Sequence, residues 1–514
     1  MKLLSTFSLA CFLAAPLCLA DFILVPQDYT TIQAGVNAAA DGDTVILADG
    51  TYSGDGNRDV DLQGKAIDVQ SNYGPEYCVI DCEGSLQENH RAFFSLVPAA
   101  GPIEIRGLTI QNGNMPGVSP ETCGGAITAV NGTEWEVIDC IFMQNTSPRG
   151  GAIYVGDASM VTVEECQFVQ NDAFTGGAIR GDEGAEIVVN NCQFQGNTAT
   201  IGGAVACFPV TSGMVLTGNE FVACDAETGG AVALSAAEGS HRGDAFRTGA
   251  LDPDPGVYAV DQCVFLENTA VYGGGVAAYY SNCLISRCRF QSNTAYQNGG
   301  GILIGACDAD IAGNLLIENI SGGLGGAIYA GGSEVNVLVQ MNTIHNNSAM
   351  YGGGAAFEAA GSATVIHTIL FENDGLEGSE LALFDGPGSS EVDVAHCNVQ
   401  GGAAAVHVEP GSMLNWGPGN MDVDPLFVDG PLGGYYLSHI DAGQPETSLC
   451  VDAGSDLSAA ICISVPSGIT CMDELSMRTD LTPDGGLVDI GFHYPSEPCV
   501  QDCDPSQDGV ITAG

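Results

Sequence analysis

The chain has 514 residues, of which 71 are Gly, and its 63 acidic residues against 12 Lys plus Arg give a formal charge of −51. So acidic a balance excludes partners that are held through Lys and Arg, nucleic acid and anionic membrane first among them, and fits a solvated surface or a calcium-rich one. Hydrophobic residues at 45% and aromatics at 7% still suffice to fill a narrow core.

In chain order, residues 1–20 carry Lys2, an apolar run at 9–19 and Ala20, the pattern of a secretory signal with Asp21 as the first mature residue. Export makes the 18 remaining Cys candidates for disulfides, with Cys450, Cys462, Cys471, Cys499 and Cys503 favoured by their loop-like surroundings. A bridge from Cys78 or Cys82 to a neighbouring coil is a further expectation. No later stretch is long enough for a transmembrane helix. Within "DYTTIQAGVNAAA" at 28–40, Ile32, Val36 and Ala39 share one helical face behind Thr30 or Thr31 as cap. A short helix closing the end of a repeat array is expected here.

From Gly124 the phrase Gly-Gly-Ala-Ile, or a near copy, recurs at Gly150, Gly176, Gly202, Gly229, Gly273, Gly299, Gly325 and Gly352. The spacings are 26, 26, 26, 27, 44, 26, 26 and 27, a solenoid period with one long member. A second phrase, Cys-x-Phe-x-x-Asn, keeps step at Cys140, Cys166, Cys192, Cys263 and Cys288, each preceded by an apolar-x-apolar pair. Two-residue alternation predicts short half-buried strands, and the three-residue step to Cys predicts a bend between two of them. Stacked laps of this kind make an all-β right-handed parallel β-helix solenoid of about 26 residues per coil, with the short N-terminal helix as its cap. The Asn column (Asn145, Asn171, Asn197, Asn268, Asn293, Asn319, Asn347 and Asn373) reads as turn-keeping through left-handed backbone or amide hydrogen bonds. The Cys column beside the Phe residues reads as buried small apolar packing.

Strict repeats span about 103–400, interrupted by an insertion at 237–256 whose His241, Arg242, Asp244 and Arg247 make it a candidate binding loop. Beyond Val399 the repeat fades, and Phe427, Tyr435, Leu437, Ile490 and Phe492 are expected to cover the last core layer, so that the helix with its caps occupies 21–495. In the segment 496–514, Asp504, Ser506, Asp508 and Val510 stand at calcium-loop positions, with the twelfth-position acid missing; calcium is the one cofactor expectation.

With both phrases in register, residues 103–400 resemble the GGA(I/L/V) and FxxN repeats of the polymorphic outer-membrane protein family, whose passenger regions are right-handed β-helices of the pectin-lyase-like superfamily. "DYTTIQAGVNAAADGDTVILADGTY", "DPLFVDG" and "VDIGFHYP" resemble the ends of secreted bacterial β-helix proteins, and the tail resembles half of a dockerin-type or EF-hand repeat. No membrane-barrel segment follows Pro495, so self-anchored display is not what the resemblance implies. The superfamily also contains pectate lyases, with an Arg or Lys base beside calcium-holding carboxylates, and hydrolases with clustered Asp and Gly-His-Gly. This chain has no Gly-His-Gly, no adjacent Asp pair, and Lys65 as its one mature lysine. Arg289, which alternates with inward Cys288 and Phe290, and Arg287 are the basic candidates for a lyase site; Asp261 and Glu267 are the acids nearest by stacking. Two readings follow: a secreted or cell-surface β-helix that binds a polysaccharide or other surface ligand without catalysis, or a polysaccharide lyase or glycoside hydrolase.

Overall fold

A computed structural model describes residues 20–156, 158–182, 184–208, 213–235, 258–280, 282–332, 335–359, 361–386, 389–466 and 468–496. One lap shows how the fold arises. The strand Glu134–Ile138 buries Trp135 and Val137, Asp139 turns the chain with φ 50°, and Ile141–Met143 buries Phe142. Gln144 turns it again with φ 54°, Thr146–Arg149 runs out to the Gly-Gly pair, and Ile153–Val155 returns along the third side. Met160–Glu164 then pairs in parallel with Glu134–Ile138, residue 134 opposite 160.

Repetition produces three long parallel sheets of 15, 13 and 13 strands, termed here sheets 1, 2 and 3 in the order a lap visits them, with a shorter fourth face between sheets 2 and 3. On most laps both tight bends pass through a non-glycine residue in the left-handed region, with Gly107, Gly196, Gly218 and Gly313 taking the place on others. That conformation costs roughly 1–2 kcal/mol per residue, and it turns the chain without breaking the inward alternation. The Gly-Gly pair has two separate causes. Gly150 has φ 62°, whereas a Cβ on Gly151 would lie 2.0 Å from the carbonyl oxygen of Gly177 one coil on. The second glycine is therefore demanded by backbone crowding, not by its torsion.

Phe142, Phe168, Phe194, Phe221, Phe265 and Phe290 stack with ring centroids 4.5–4.9 Å apart, the strand spacing imposed on aromatic rings. The long repeat spacing does not disturb this column, because Phe221 pairs in register with Phe265 and Val232 with Val276 across the insertion. Helix Ile32–Ala38 caps the first coils, its N-cap Thr31 accepting from the Ala34 amide at 3.3 Å, and buries Ile32 and Val36. Sheet 1 begins before it, with Phe22–Val25.

Three expectations change. The left-handed backbone belongs to the residue before each Asn, whereas the amide hydrogen bonds are as expected. Asn145 is buried and uses Nδ2 to bond the Asn171 Oδ1 (3.1 Å) and the Ile110 carbonyl (3.0 Å), and the same ladder continues coil by coil except where Cys224 takes the Asn place. It ends where Asn373 donates to Glu380. The Cys column sits at the other bend and does more than pack: Cys166 Sγ accepts the Cys140 amide at 3.3 Å, and Asn219 and Asn314 stand at equivalent positions with the same role. Among the described residues, buried Cys78 and Cys82 form no bridge, and neither does Cys450 of the five favoured C-terminal cysteines; Cys462 and Cys471 of that set bond to each other, and Cys499 and Cys503 lie outside the described residues.

The third change concerns residues 421–496. They do not cover the last core layer but fold back over the outer face of sheet 2. Leu315–Ile317 reads Leu-Leu-Ile and Ile369–Phe371 reads Ile-Leu-Phe, so both faces of these strands are apolar and both must be covered. Tyr436, Phe492 and Tyr494 pack on Leu315 and Ile317, Leu437 and Ile490 on Ile369, and Ile463 and Met472 on Ala312 and Met341.

Candidate functional site

The four residues proposed for a lyase site are not brought to one place. Arg287 and Glu267 are themselves bend residues, with φ 52° and 56°. Arg287 grips Asp261 with two nitrogens, Nε donating to Oδ1 at 2.9 Å and Nη2 to Oδ2, while Ser286 Oγ donates to the same Oδ1 at 2.8 Å. The Asp261 side chain is 2% exposed, and Arg287 also reaches Thr470 in the disulfide-closed hairpin above it. This pair holds the C-terminal lobe to the coils. Arg289 donates to Gln291 Oε1 at 2.5 Å and stands beside Tyr435 and Tyr494 of the same lobe. Glu267 is exposed. His241, Arg242, Asp244, Arg247 and the calcium-loop residues Asp504, Ser506, Asp508 and Val510 lie outside the described residues.

A second group of titratable side chains lies where the lobe meets the coils. His367 Nε2 lies 2.9 Å from Ser455 Oγ and accepts the Ser455 amide at 3.1 Å; burial, with His396 and His493 nearby, lowers its pKa to about 4. His493 Nε2 lies 3.1 Å from Asp484 Oδ2, both buried, and burial together with the Asp484 charge raises the Asp489 carboxyl. These contacts are internal to a covered interface. Among the described residues no set of three or more His, Cys, Asp or Glu is placed to hold a metal ion.

An open site lies on the outer face of sheet 1, on coils beyond the insertion. There Asn282, Asp308, Asn336 and Ser362 precede or begin successive strands, and Asp310, Leu338 and Thr364 stand two positions further along, facing out. Together with Cys283, Ala309 and Val337 they line a groove of 370 Å³. Asp308 Oδ1 accepts both the amide and the side-chain Nδ2 of Asn336, at 2.9 and 3.0 Å, which fixes its carboxylate across the coil step. Asp310 is bonded by Gln340 Nε2 at 3.3 Å, and burial raises its pKa above that of an ordinary carboxyl. The floor thus offers hydrogen-bond acceptors, amide donors and the outward aliphatic side chain of Leu338, and the lining contains no cation.

The family model for a right handed beta helix region matches residues 125–316. No curated protein matches the sequence. Among solved structures, the catalytic unit of a thermostable GH87 alpha-1,3-glucanase from Streptomyces thermodiastaticus is 14% identical with a TM-score of 0.42, over 76% of this chain and 65% of that one. A PL6 family alginate lyase, AlyGC, is 14% identical with a TM-score of 0.41, over 80% and 55%. Tailspike protein 3 of bacteriophage CBA120 is 11% identical with a TM-score of 0.39, over 87% and 66%. The chain therefore spans less than two thirds of the glucanase unit and about half of the lyase.

Proposed function

We propose that this is a secreted or cell-surface β-helix that holds a polysaccharide on its outer face without cleaving it. The observation that carries the proposal is the sheet 1 groove, a shallow, open strip of carboxylate, amide and hydroxyl groups borne on stacked strands. Supporting it, the Arg residues that a lyase mechanism could have drawn on, Arg287 and Arg289, are engaged under the C-terminal lobe. Secretion through residues 1–20 and a calcium-assisted C-terminal tail at Asp504, Ser506, Asp508 and Val510 belong to the same proposal.

A second reading, a glycoside hydrolase, is favoured by one detail: Asp310, a carboxyl whose pKa burial raises, shares the groove with Asp308, as an acid and a base would. A polysaccharide panel separates the two. Retention of a polysaccharide in affinity electrophoresis with no reducing ends and no unsaturated product supports the binding protein. Turnover lost in Asp310→Asn makes it an enzyme.

A further inference from the structure

Resting on the glycan-binding reading, we infer that the groove takes an extended, neutral β-1,4-linked glycan lying parallel to the solenoid axis, with one hexose per coil. Its floor is set by register. Cys283 pairs with Ala309, Ala309 with Val337 and Val337 with Ala363, so Asn282, Asp308, Asn336 and Ser362 form one column, and Leu284, Asp310, Leu338 and Thr364 form the next. Each step along a column is one strand spacing, about 4.8 Å. That is close to the advance of one hexose in a straight β-1,4-linked chain, so a sugar that bonds well on one coil places its neighbour on the next without strain.

The second column adds a period of two. It reads Leu, Asp, Leu, Thr, an apolar platform alternating with a polar group. Every ring of a straight β-1,4-linked ribbon is CH-rich on both faces and carries its hydroxyls at its edges. Leu284 and Leu338 can then each sit under a ring face, while Asp310 and Thr364 between them reach hydroxyls at the edge of the ribbon. An α-1,4-linked chain curls away from a straight column and reaches fewer coils. Uronate chains are disfavoured by Asp308 and Asp310, which would face their carboxylates with no cation in the lining.

The test is calorimetric titration of the full chain with cello- and manno-oligosaccharides of two to six units, and with malto-oligosaccharides of the same lengths. Affinity should tighten with each hexose up to four and then level off, and the malto-series should bind at least about tenfold more weakly. Leu338→Asp, at a half-exposed position, should weaken the best ligand by at least about tenfold; exposed Asn336→Ala, expected to weaken it less, serves if that variant does not fold. Equal or tighter binding of the malto-series, or affinity independent of length, overturns the β-1,4 inference while leaving glycan binding in place. If neither these ligands nor any polysaccharide of the wider panel binds, the functional proposal itself falls and takes this inference with it.

Discussion

The regular coils and the C-terminal lobe bury comparable kinds of side chain by opposite means. In the coils each buried residue meets its own counterpart one lap away: Phe on Phe, Asn on Asn, Cys on Cys. In the lobe every contact is made once, as where Phe492 donates its amide to Thr343 Oγ1 at 3.0 Å or Gly491 to the His367 carbonyl at 2.9 Å. A repeat spreads stability over nearest-neighbour interfaces, whereas a lobe attached by unique contacts stands or falls with a few of them. The difference also divides the outer surface, since sheet 2 is covered by the lobe and the sheet 1 groove is left open.

The comparison can be broken most severely from the coil side. Gly177→Val places a Cβ where the Gly203 carbonyl oxygen would be 2.0 Å away, so the array cannot close there. Loss of about 4 kcal/mol or more is expected by chemical denaturation. Phe194→Ala should cost about 3–5 kcal/mol, because its stacked neighbours Phe168 and Phe221 are held by their own strands and cannot collapse into the space.

On the lobe side the expected effects are smaller and local. Leu315→Asp puts a charge beneath Tyr436 and Phe492. Limited proteolysis should then release 421–496 while the far-ultraviolet spectrum of the coils persists. Acid should loosen the same interface through His367, whose pKa is lowered on folding: its contribution is whole above the unfolded value near 6.5 and is lost as pH falls towards 4. The magnitude is up to about 3 kcal/mol, and His367→Gln should remove that step. Glu380, raised to about 7 by burial, acts with the opposite sign on the coil side, its share being full in acid and declining as pH rises from about 4.5 to 7. Smallest of the set, reduction of Cys462–Cys471 opens a loop of sequence separation 9. It should cost the hairpin about 2.5 kcal/mol, read as faster amide exchange in Cys462–Val465 and Gly468–Cys471.

What could be read in advance follows the same division. The solenoid was legible because period 26 puts identical residues in register, and the 18 added residues were recognisable as an insertion because the columns resume unchanged after them. The lobe has no period, and its one signal was local: the runs Leu315-Leu316-Ile317 and Ile369-Leu370-Phe371 are apolar on both faces where earlier strands carry Gln167 and Gln193 outward. The bends were placed correctly, but the left-handed torsion expected of Asn falls on the residue before it, a position that varies freely among Gln, Glu, Ser and Gly. Arg287 and Asp261 were rightly neighbours by stacking, but nothing local says that a hairpin more than 180 residues later covers them. The groove residues Asn282, Asp308, Asn336 and Ser362 do not keep one residue type, so only the register makes them a column.

The most direct measurement is amide hydrogen exchange of the full chain with and without a soluble polysaccharide that it retains. If the open face of sheet 1 is the binding surface, protection should increase in Cys283–Ser286, Ala309–Ala312, Asn336–Gln340 and Ser362–Ile366 and stay unchanged in 421–496. Protection gained in the lobe, with these four strands unaffected, would contradict the assignment.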